Sequence, residues 1–438
     1  MNAIASKLES VLGTSGVVPW DKIEVIHRTR IGQAVTSRTT PKCIVYPNTH
    51  EELASITACL QANKWRILPC GRGTKISWGQ QVKDIDIVIS TKHLNRVIEH
   101  AVGDLTVTVE AGTKFSDIQA LLAPFGQFLA LDPAYPQEAT IGGIVATADS
   151  GSLRQRYGGV RDMLLGITFV RADGQIAKAG GRVVKNVAGY DLMKLFASSY
   201  GTLGIICQVT FRVYPIPPSS GTLVLTGEAV KLAQLTKTLF ASSLTPTAVD
   251  LMSTQVVKQV GLGEGMGAIA RFQSVEESVK EQSTRLLQVG QQLGLQGSIY
   301  SGADEAELWQ KLEEQMWKSH TETNLTCKIG VLPTAAATTI TQMEALAGDK
   351  VKVKIHAGSG LGILRLDEEV ATAEMILKMR SLCQSQSGYL TILEAPATLK
   401  QQIDVWGYTG NALDLMRKIK NQFDPGNILS PNRFVGGI

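Results

Sequence analysis

The chain has 438 residues, 44% of them apolar, with 43 basic against 39 acidic side chains for a net charge of +4. That length and apolar content suit a soluble protein of roughly two to three domains, and the balanced charge argues against a nucleic-acid partner. No apolar run approaches the ~18 residues of a membrane-spanning helix. The amphipathic opening MNAIASKLESVLG lacks the apolar core of a secretory leader, so the expected location is the cytoplasm, with peripheral membrane docking through partners left open. The six cysteines (Cys43, Cys59, Cys70, Cys207, Cys327, Cys383) are scattered without a C-x-x-C pair, which points to buried reduced thiols and no thiolate-held zinc or iron–sulfur site.

The first half alternates strands and helices. CIVYP (43–47) has strand composition, and Thr49 and Glu52 then form a T-x-x-E capping box that opens the helix HEELASITACLQAN. WRILP (65–69) returns as a strand and runs into PCGRGTKISWG (69–79). This glycine turn lacks the G-K-[ST] of a phosphate-binding P-loop, and Ile76 replaces the third glycine of G-x-G-x-x-G. DIDIVIS places Ile85, Ile87 and Ile89 on one face, and LTVTVEAG repeats that alternation. FSDIQALLAPFG reads as a helix burying Ile118, Leu121 and Leu122. Residues 133–166 then carry Gly142, Gly143, Gly151, Gly158 and Gly159, a density that favours a ligand pressed against backbone. MLLGITFVRADGQI predicts a hairpin turning at Asp173-Gly174.

YPIPPSSGT (214–222) marks a boundary, after which strands pair with longer helices. GAIARFQS precedes a helix with Val275, Val279, Leu286 and Leu293 on one face, and ADEAELWQKLEEQMWKSH buries Leu308, Leu312 and Met316. CKIGVLP, VKVKIHAG, GILRL and GYLTILEAP complete a second α+β layer, the middle two joined at a Gly-Ser-Gly turn. The tail FDPGNILSPNRFVGGI holds only turn chemistry.

Taken in order, VYPNTHEELASI, LPCGRGTKISWG, VTVEAGTKFSDIQALLAPFGQFLALDP, ATIGGIVATADSG, VVKNVAGYDLMKLFASSYGTLGIICQVTFRVYP and FDPGNILSPNR resemble the flavin-dependent oxidoreductases of the vanillyl-alcohol-oxidase (PCMH) type. Within that family the resemblance is to the FAD-binding, E-type subunits of glycolate oxidase (glycolate dehydrogenase), over nearly the whole chain. The fold it implies is α+β: a PCMH-type FAD-binding domain of two α+β subdomains over 1–218, a cap with a helix-covered antiparallel sheet over 219–400, and a segment 401–438 returning to the FAD domain. The cap is expected to close over the flavin.

The resemblance also implies site residues. Backbone amides of Gly71, Arg72, Gly73 and Thr74 would hold the FAD pyrophosphate as a nest of N–H groups, with the Thr74 and Ser77 side chains nearby and Lys75 or Arg72 either adding charge or standing as a free cation in solvent. Pro133, Thr140, Gly142, Gly143 and Thr147 match further FAD-contacting positions, as do Gly201, Gly204 and Ile206. Asn432 and Arg433 return near the cofactor, while Tyr190 and Asp191 fix their loop through hydrogen bonds. No histidine lies between Gly71 and Gly79, so the FAD is expected to be non-covalent.

Relatives that oxidise glycolate or D-lactate carry an H-x-G-x-G-N-x-H segment whose histidines help hold a metal and the substrate. Here HAGSGLGILRL keeps His356 but places Leu361 and Ile363 at the last two key positions, which leaves no metal site expected. A packing role for His356 stands beside a catalytic one. Arg271, Lys328 and Arg365, on predicted cap strands, are candidates to grip a carboxylate, and Trp406 and Tyr408 to line the flavin face, each against a bland alternative of solvated or packed side chain. The function implied is FAD-dependent oxidation of glycolate, or D-lactate, beside a sister FAD subunit and an iron–sulfur subunit. The alternative is an FAD-binding or electron-relay subunit that completes the complex. No second dinucleotide fingerprint supports a nicotinamide-dependent reductase.

Overall fold

A computed structural model describes residues 3–36, 40–182, 189–317 and 325–438. The chain divides into two compact units, one of residues 1–150, 159–216 and 408–438, the other of 151–158 and 217–407. The short segment 151–158, which the sequence places within the glycine-rich first half, therefore belongs to the second unit, and the return to the first unit comes at 408.

The first unit holds two sheets. In the smaller, the strands run Val17–Pro19, Cys43–Val45, Ile87–Ser90, Ile67–Cys70, the last three parallel. Every residue of Ile87–Ser90 is buried, so the expected one-sided alternation is half the pattern. Ile87 and Ile89 pack with Leu53, Ile56 and Leu60 of the helix His50–Ala62, while Val88 packs with Ile44, Leu68 and Ile85 on the opposite side. A parallel strand covered on both faces needs apolar residues at every position. Thr49 caps the helix by accepting the Glu52 amide at 3.0 Å, and the Glu52 carboxylate accepts the Asn48 amide at 2.7 Å.

The second sheet is antiparallel, in the order Val97–Ala101, Thr106–Glu110, Ile205–Arg212, Leu164–Val170, Ile176–Gly180. The last two form the expected hairpin, with Gly174 at φ +83° where a side chain would be strained. Residues 183–188, within the VVKNVAGYDL block, lie outside the described residues, as do 318–320 at the end of ADEAELWQKLEEQMWKSH.

The tail closes onto the edge strand of the smaller sheet. The Ile67 amide donates to Ile428 O at 2.7 Å, and the Ser430 amide donates to Ile67 O at 2.8 Å. Lys420, on the helix Leu413–Phe423, is buried and donates to Thr202 O at 2.9 Å, Leu429 O at 2.8 Å and Asp424 Oδ2 at 2.5 Å. Burial lowers its pKa, and the Asp424 carboxylate opposes that shift.

In the second unit eight strands form one antiparallel sheet: Gln296–Ser301, Ser219–Gly227, Met266–Ser274, Ala248–Met252, Val351–His356, Leu361–Leu366, Leu325–Gly330, Tyr389–Glu394. One face, with Val249, Leu251, Val351, Val353, Ile355 and Leu364, packs beneath helices Ala229–Phe240, Glu276–Gln292, Ala336–Ala347 and Ala373–Ser385. On the other, Val224, Met252 and Ile269 pack against Val256, Leu308, Leu312 and Met316 of Thr254–Val260 and Gly302–Met316. Val275, expected on a buried face, instead caps its helix and is 54% exposed, because the helix begins one residue later.

Replacing Lys420 by Met leaves the Asp424 carboxylate buried without its cation. We expect a loss of about 3–5 kcal/mol, seen as a lower urea midpoint; an unchanged midpoint would rule out the ammonium as the anchor of the tail.

Candidate functional site

The strand Ile67–Cys70 delivers the glycine turn, and the turn's carbonyls are held from outside it. Ser90 Oγ donates to Gly71 O at 2.7 Å, Thr91 Oγ1 donates to Cys70 O at 3.3 Å, and the Arg433 guanidinium donates to the carbonyls of Ile76 and Gln80. The amides are left over. Those of Gly71, Arg72, Gly73 and Thr74 donate to no acceptor among the described residues. A run of unpartnered N–H groups is what an anion-binding nest requires. Gly73 sits at φ +80°, and a Cβ added there would meet only Ile76 Cγ2, at 4.0 Å. At Gly71 the restriction is contact instead: a Cβ would lie 2.0 Å from Thr140 Oγ1.

These residues border a cleft. Of the residues expected at a cofactor, Gly71, Gly73, Thr74, Lys75, Thr140, Gly142, Gly143, Thr147, Gly201, Gly204 and Ile206 line it. No carboxylate is among the lining side chains, while Arg433 is. Unpartnered amides, an acid-free wall and a cation fit a dinucleotide diphosphate. Arg433 is buried, and burial draws its pKa down to about 10 against the pull of Tyr200 and Cys70. Cys70, also at the wall, has its thiol pushed up to about 12 by burial, which keeps it protonated.

The remaining expected residues sit elsewhere. Arg72 turns away to pair with Glu138 at 2.7 Å, and only its amide belongs to the nest. Ser77 lies beyond the wall, and Pro133 is buried outside it. Asn432 donates to Gln81 O at 2.8 Å, holding the turn's far end. Lys75, for which the sequence left a solvated side chain open, is buried against Ala134 O at 3.0 Å and Asp149 Oδ2 at 3.2 Å. Asp149 also accepts the Ala134 amide at 2.8 Å, so this ion pair ties the turn to the 133–150 segment. Tyr200 and Thr91 line the cleft unforeseen. Tyr200 is held at φ +53° beside the GTLGII motif, which was a usable signal; nothing local marks Thr91. Tyr190 is 88% exposed, and Asp191 pairs with Lys194 at 2.6 Å.

In the second unit the cap candidates separate. Arg271 stands 2.9 Å from the buried Glu305 carboxylate and donates to Ser220 Oγ at 3.0 Å, so its guanidinium is already engaged by a carboxylate of this chain. Arg365 is buried and donates to Gln315 O at 3.1 Å, and Trp406 O accepts Thr391 Oγ1 at 3.1 Å. Tyr408 belongs to the first unit, its hydroxyl accepting the Ala412 amide at 2.9 Å. Lys328 and Lys354 both stand opposite Ile363 across the sheet, on one face. His356 pairs across strands with Asp250, and its Nδ1 lies 2.6 Å from Asp250 Oδ1. Among the described residues no group of three or more His, Cys, Asp or Glu could hold a metal ion.

Burial alone would raise the Asp250 pKa, but Lys354, His356 and Ser152 outweigh it and hold the carboxyl down at about 2. Because the folded value lies below the unfolded one, Asp250 stabilises the second unit above pH ~4, and that contribution disappears as the pH falls toward 2. The loss is on the order of 2 kcal/mol. Urea midpoints followed across that window should fall in the wild type more steeply than in Asp250→Asn; parallel curves would contradict it.

Comparison with known proteins agrees with this geometry. The FAD binding domain family matches residues 41–180, and the C-terminal domain of FAD linked oxidases matches 405–434. Over 90% of the chain it is 26% identical to a mitochondrial cytochrome-type D-lactate dehydrogenase of Arabidopsis thaliana, covering 73% of that protein. It is equally 26% identical to glycolate oxidase subunit GlcD of Bacillus subtilis, over 90% of this chain and 89% of that one. Glycolate oxidase subunit GlcE of Escherichia coli is 39% identical over 28% of this chain and 36% of its own. In fold, 4-ethylphenol oxidase from Gulosibacter chungangensis superposes with a TM-score of 0.76 at 14% identity, over 98% of this chain and 96% of that one. The amide nest, the acid-free cleft and these matches agree on the cofactor, FAD, and the chain carries an FAD binding domain over 41–180 and the C-terminal domain of FAD linked oxidases over 405–434.

Proposed function

We propose that this chain oxidises a small 2-hydroxy acid, glycolate or D-lactate, to the 2-oxo acid as a subunit of a multi-chain dehydrogenase. The observation that carries the reading is the acid-free nest of amides in a chain whose near-full-length relatives are a D-lactate dehydrogenase and a glycolate oxidase subunit. Bound FAD supplies the two-electron acceptor for such an oxidation. The chain's own residues supply the rest. Lys328, on the sheet face it shares with Lys354, is the candidate for the substrate carboxylate, while Lys354 is committed to Asp250 and Ser152. His356 offers a ring nitrogen for the hydroxyl proton. Arg271, committed to Glu305, is left to a structural role.

The six cysteines are all free thiols, and five of them have pKa values raised by burial, so electrons leave through a partner. A sister flavin subunit and an iron–sulfur subunit fit that need, and the GlcD and GlcE relatives are themselves named as subunits. No helix among the described residues is long and apolar enough to cross a membrane, which agrees with a cytoplasmic complex.

One observation favours a second reading. Ile363, at the position of the relatives' second histidine, packs against the apolar cluster of Met252, Leu308 and Leu312, so no polar partner for His356 comes from that strand. A subunit that only carries or relays electrons would tolerate that change.

An anaerobic spectrum of the purified chain separates the readings. A flavin band near roughly 450 nm that bleaches with glycolate or D-lactate supports catalysis by this chain. A band that bleaches only after the sister subunit is added transfers the function to the relay reading. Gly73→Glu puts a carboxylate into the nest and should yield colourless protein; a variant that purifies yellow would overturn the pyrophosphate site.

A further inference from the structure

The eight-stranded sheet of the second unit ends in two unlike edges. At one, the outer strand Tyr389–Glu394 is closed off by its own chain. The Ile392 amide donates to Val405 O at 2.9 Å, Arg380 donates to Leu390 O at 3.1 Å, and Lys400 donates to Leu393 O at 3.0 Å. At the other, Gln296–Ser301 (QGSIYS) pairs with Ser219–Gly227 on one side, in register along its whole length. Its other side meets no strand, and no hydrogen bond from a loop or side chain closes it among the described residues.

The composition leaves that edge unprotected. Sheets blunt their edges with charges, proline, bulges or a covering segment. Outer strands of the first unit do so: Val17–Pro19 ends in proline, Val97–Ala101 has a register shift and Glu99, Ile176–Gly180 has Lys178, and the tail covers Ile67–Cys70. Gln296–Ser301 has none of these, and no charged residue occurs from Leu286 to Ala303. Every residue of the strand but Tyr300 is exposed, Ile299 by 46%.

A row of unpaired strand amides and carbonyls is satisfied by another extended strand. The opposite edge of this sheet is closed, so head-to-tail stacking of sheets is blocked, and among the edges of this sheet the bare one finds its match in the same edge of a second copy. Such a twofold pair uses up both bare edges at once and leaves none for further growth. Residues directly opposite in an antiparallel pair share a face, so the twofold passes through a residue and not between two. We propose that two copies of this chain pair edge to edge through Gln296–Ser301, antiparallel about Ile299, into one continuous sheet. Ile299 then faces its own counterpart, an apolar β-branched pair that leaves water, and Ser298 faces the counterpart of Tyr300. No charge from either strand enters the interface.

Two measurements on the full chain loaded with FAD test it. Sedimentation velocity of the wild type at micromolar concentration should show a species of twice the 47.1 kDa chain mass. Ile299→Lys sets two ammonium groups opposite each other and should raise the dissociation constant about tenfold or more, as should Ile299→Glu with two carboxylates. An equimolar mixture of Ile299→Lys and Ile299→Glu should regain pairing, which a folding defect in either would not allow. A monomeric wild type would overturn the proposal, as would a dimer indifferent to Ile299→Lys or pairing seen only with a different protein. The second measurement reads the wild type alone. Hydrogen exchange at amides within 296–301 should slow as the concentration rises through the dissociation constant; exchange that ignores concentration overturns the shared sheet.

Discussion

The structure of the cofactor cleft depends on where the carbonyls of one glycine turn go. Each peptide unit presents a donor and an acceptor, and burying either unmade costs about 1–3 kcal/mol. Ser90, Thr91 and Arg433 take the carbonyls of Cys70, Gly71, Ile76 and Gln80, so the amides of Gly71 to Thr74 are the groups left unmatched. The nest is thus built by neighbours as much as by its own glycines. An anion placed there satisfies donors that the fold has already aligned, and needs no dedicated lysine.

The same economy governs the buried charges of the first unit. Lys75 is absorbed by Asp149, and Lys420 by Asp424 together with two backbone carbonyls. Such pairs add little net stability against an apolar alternative, but breaking one leaves a lone buried charge. They act as registers. One fixes the turn to the 133–150 segment, and the other fixes the tail that pairs with the strand leading into the turn. The tail in turn brings Arg433 to the cleft, a cation beside the turn's own Lys75, which Asp149 already pairs.

The second unit shows how one sheet serves two purposes. Alternate residues of Val351–His356 point to opposite faces, so Val351, Val353 and Ile355 enter the helix-covered core while Lys352, Lys354 and His356 occupy the other side. That second side is apolar where the helix Gly302–Met316 covers it and polar around Asp250. A buried carboxylate is tolerable only where its lone pairs are filled. Ser152, His356 and Lys354 do this for Asp250, which is why the chain segment 151–158 is part of this unit.

Local spacing in the sequence was enough for the alternation of strands and helices, the Asp173-Gly174 hairpin, the Thr49 cap and the glycine turn, because these depend on neighbours within a few residues. Ordered motifs over the length of the chain carried the family and its cofactor. Burial on both faces of Ile87–Ser90 was not legible, since alternation reports one face only. Nor was the fate of the charged residues. Arg271 and Arg72 read as free cations in the sequence, and only the fold brings Glu305 and Glu138 to them. His356 and Asp250 are 106 residues apart and become partners through strand pairing alone. A side chain's residue type is local information, but whether it meets a ligand, water or a buried counter-charge is set by contacts between distant segments, and those exist only in the tertiary structure.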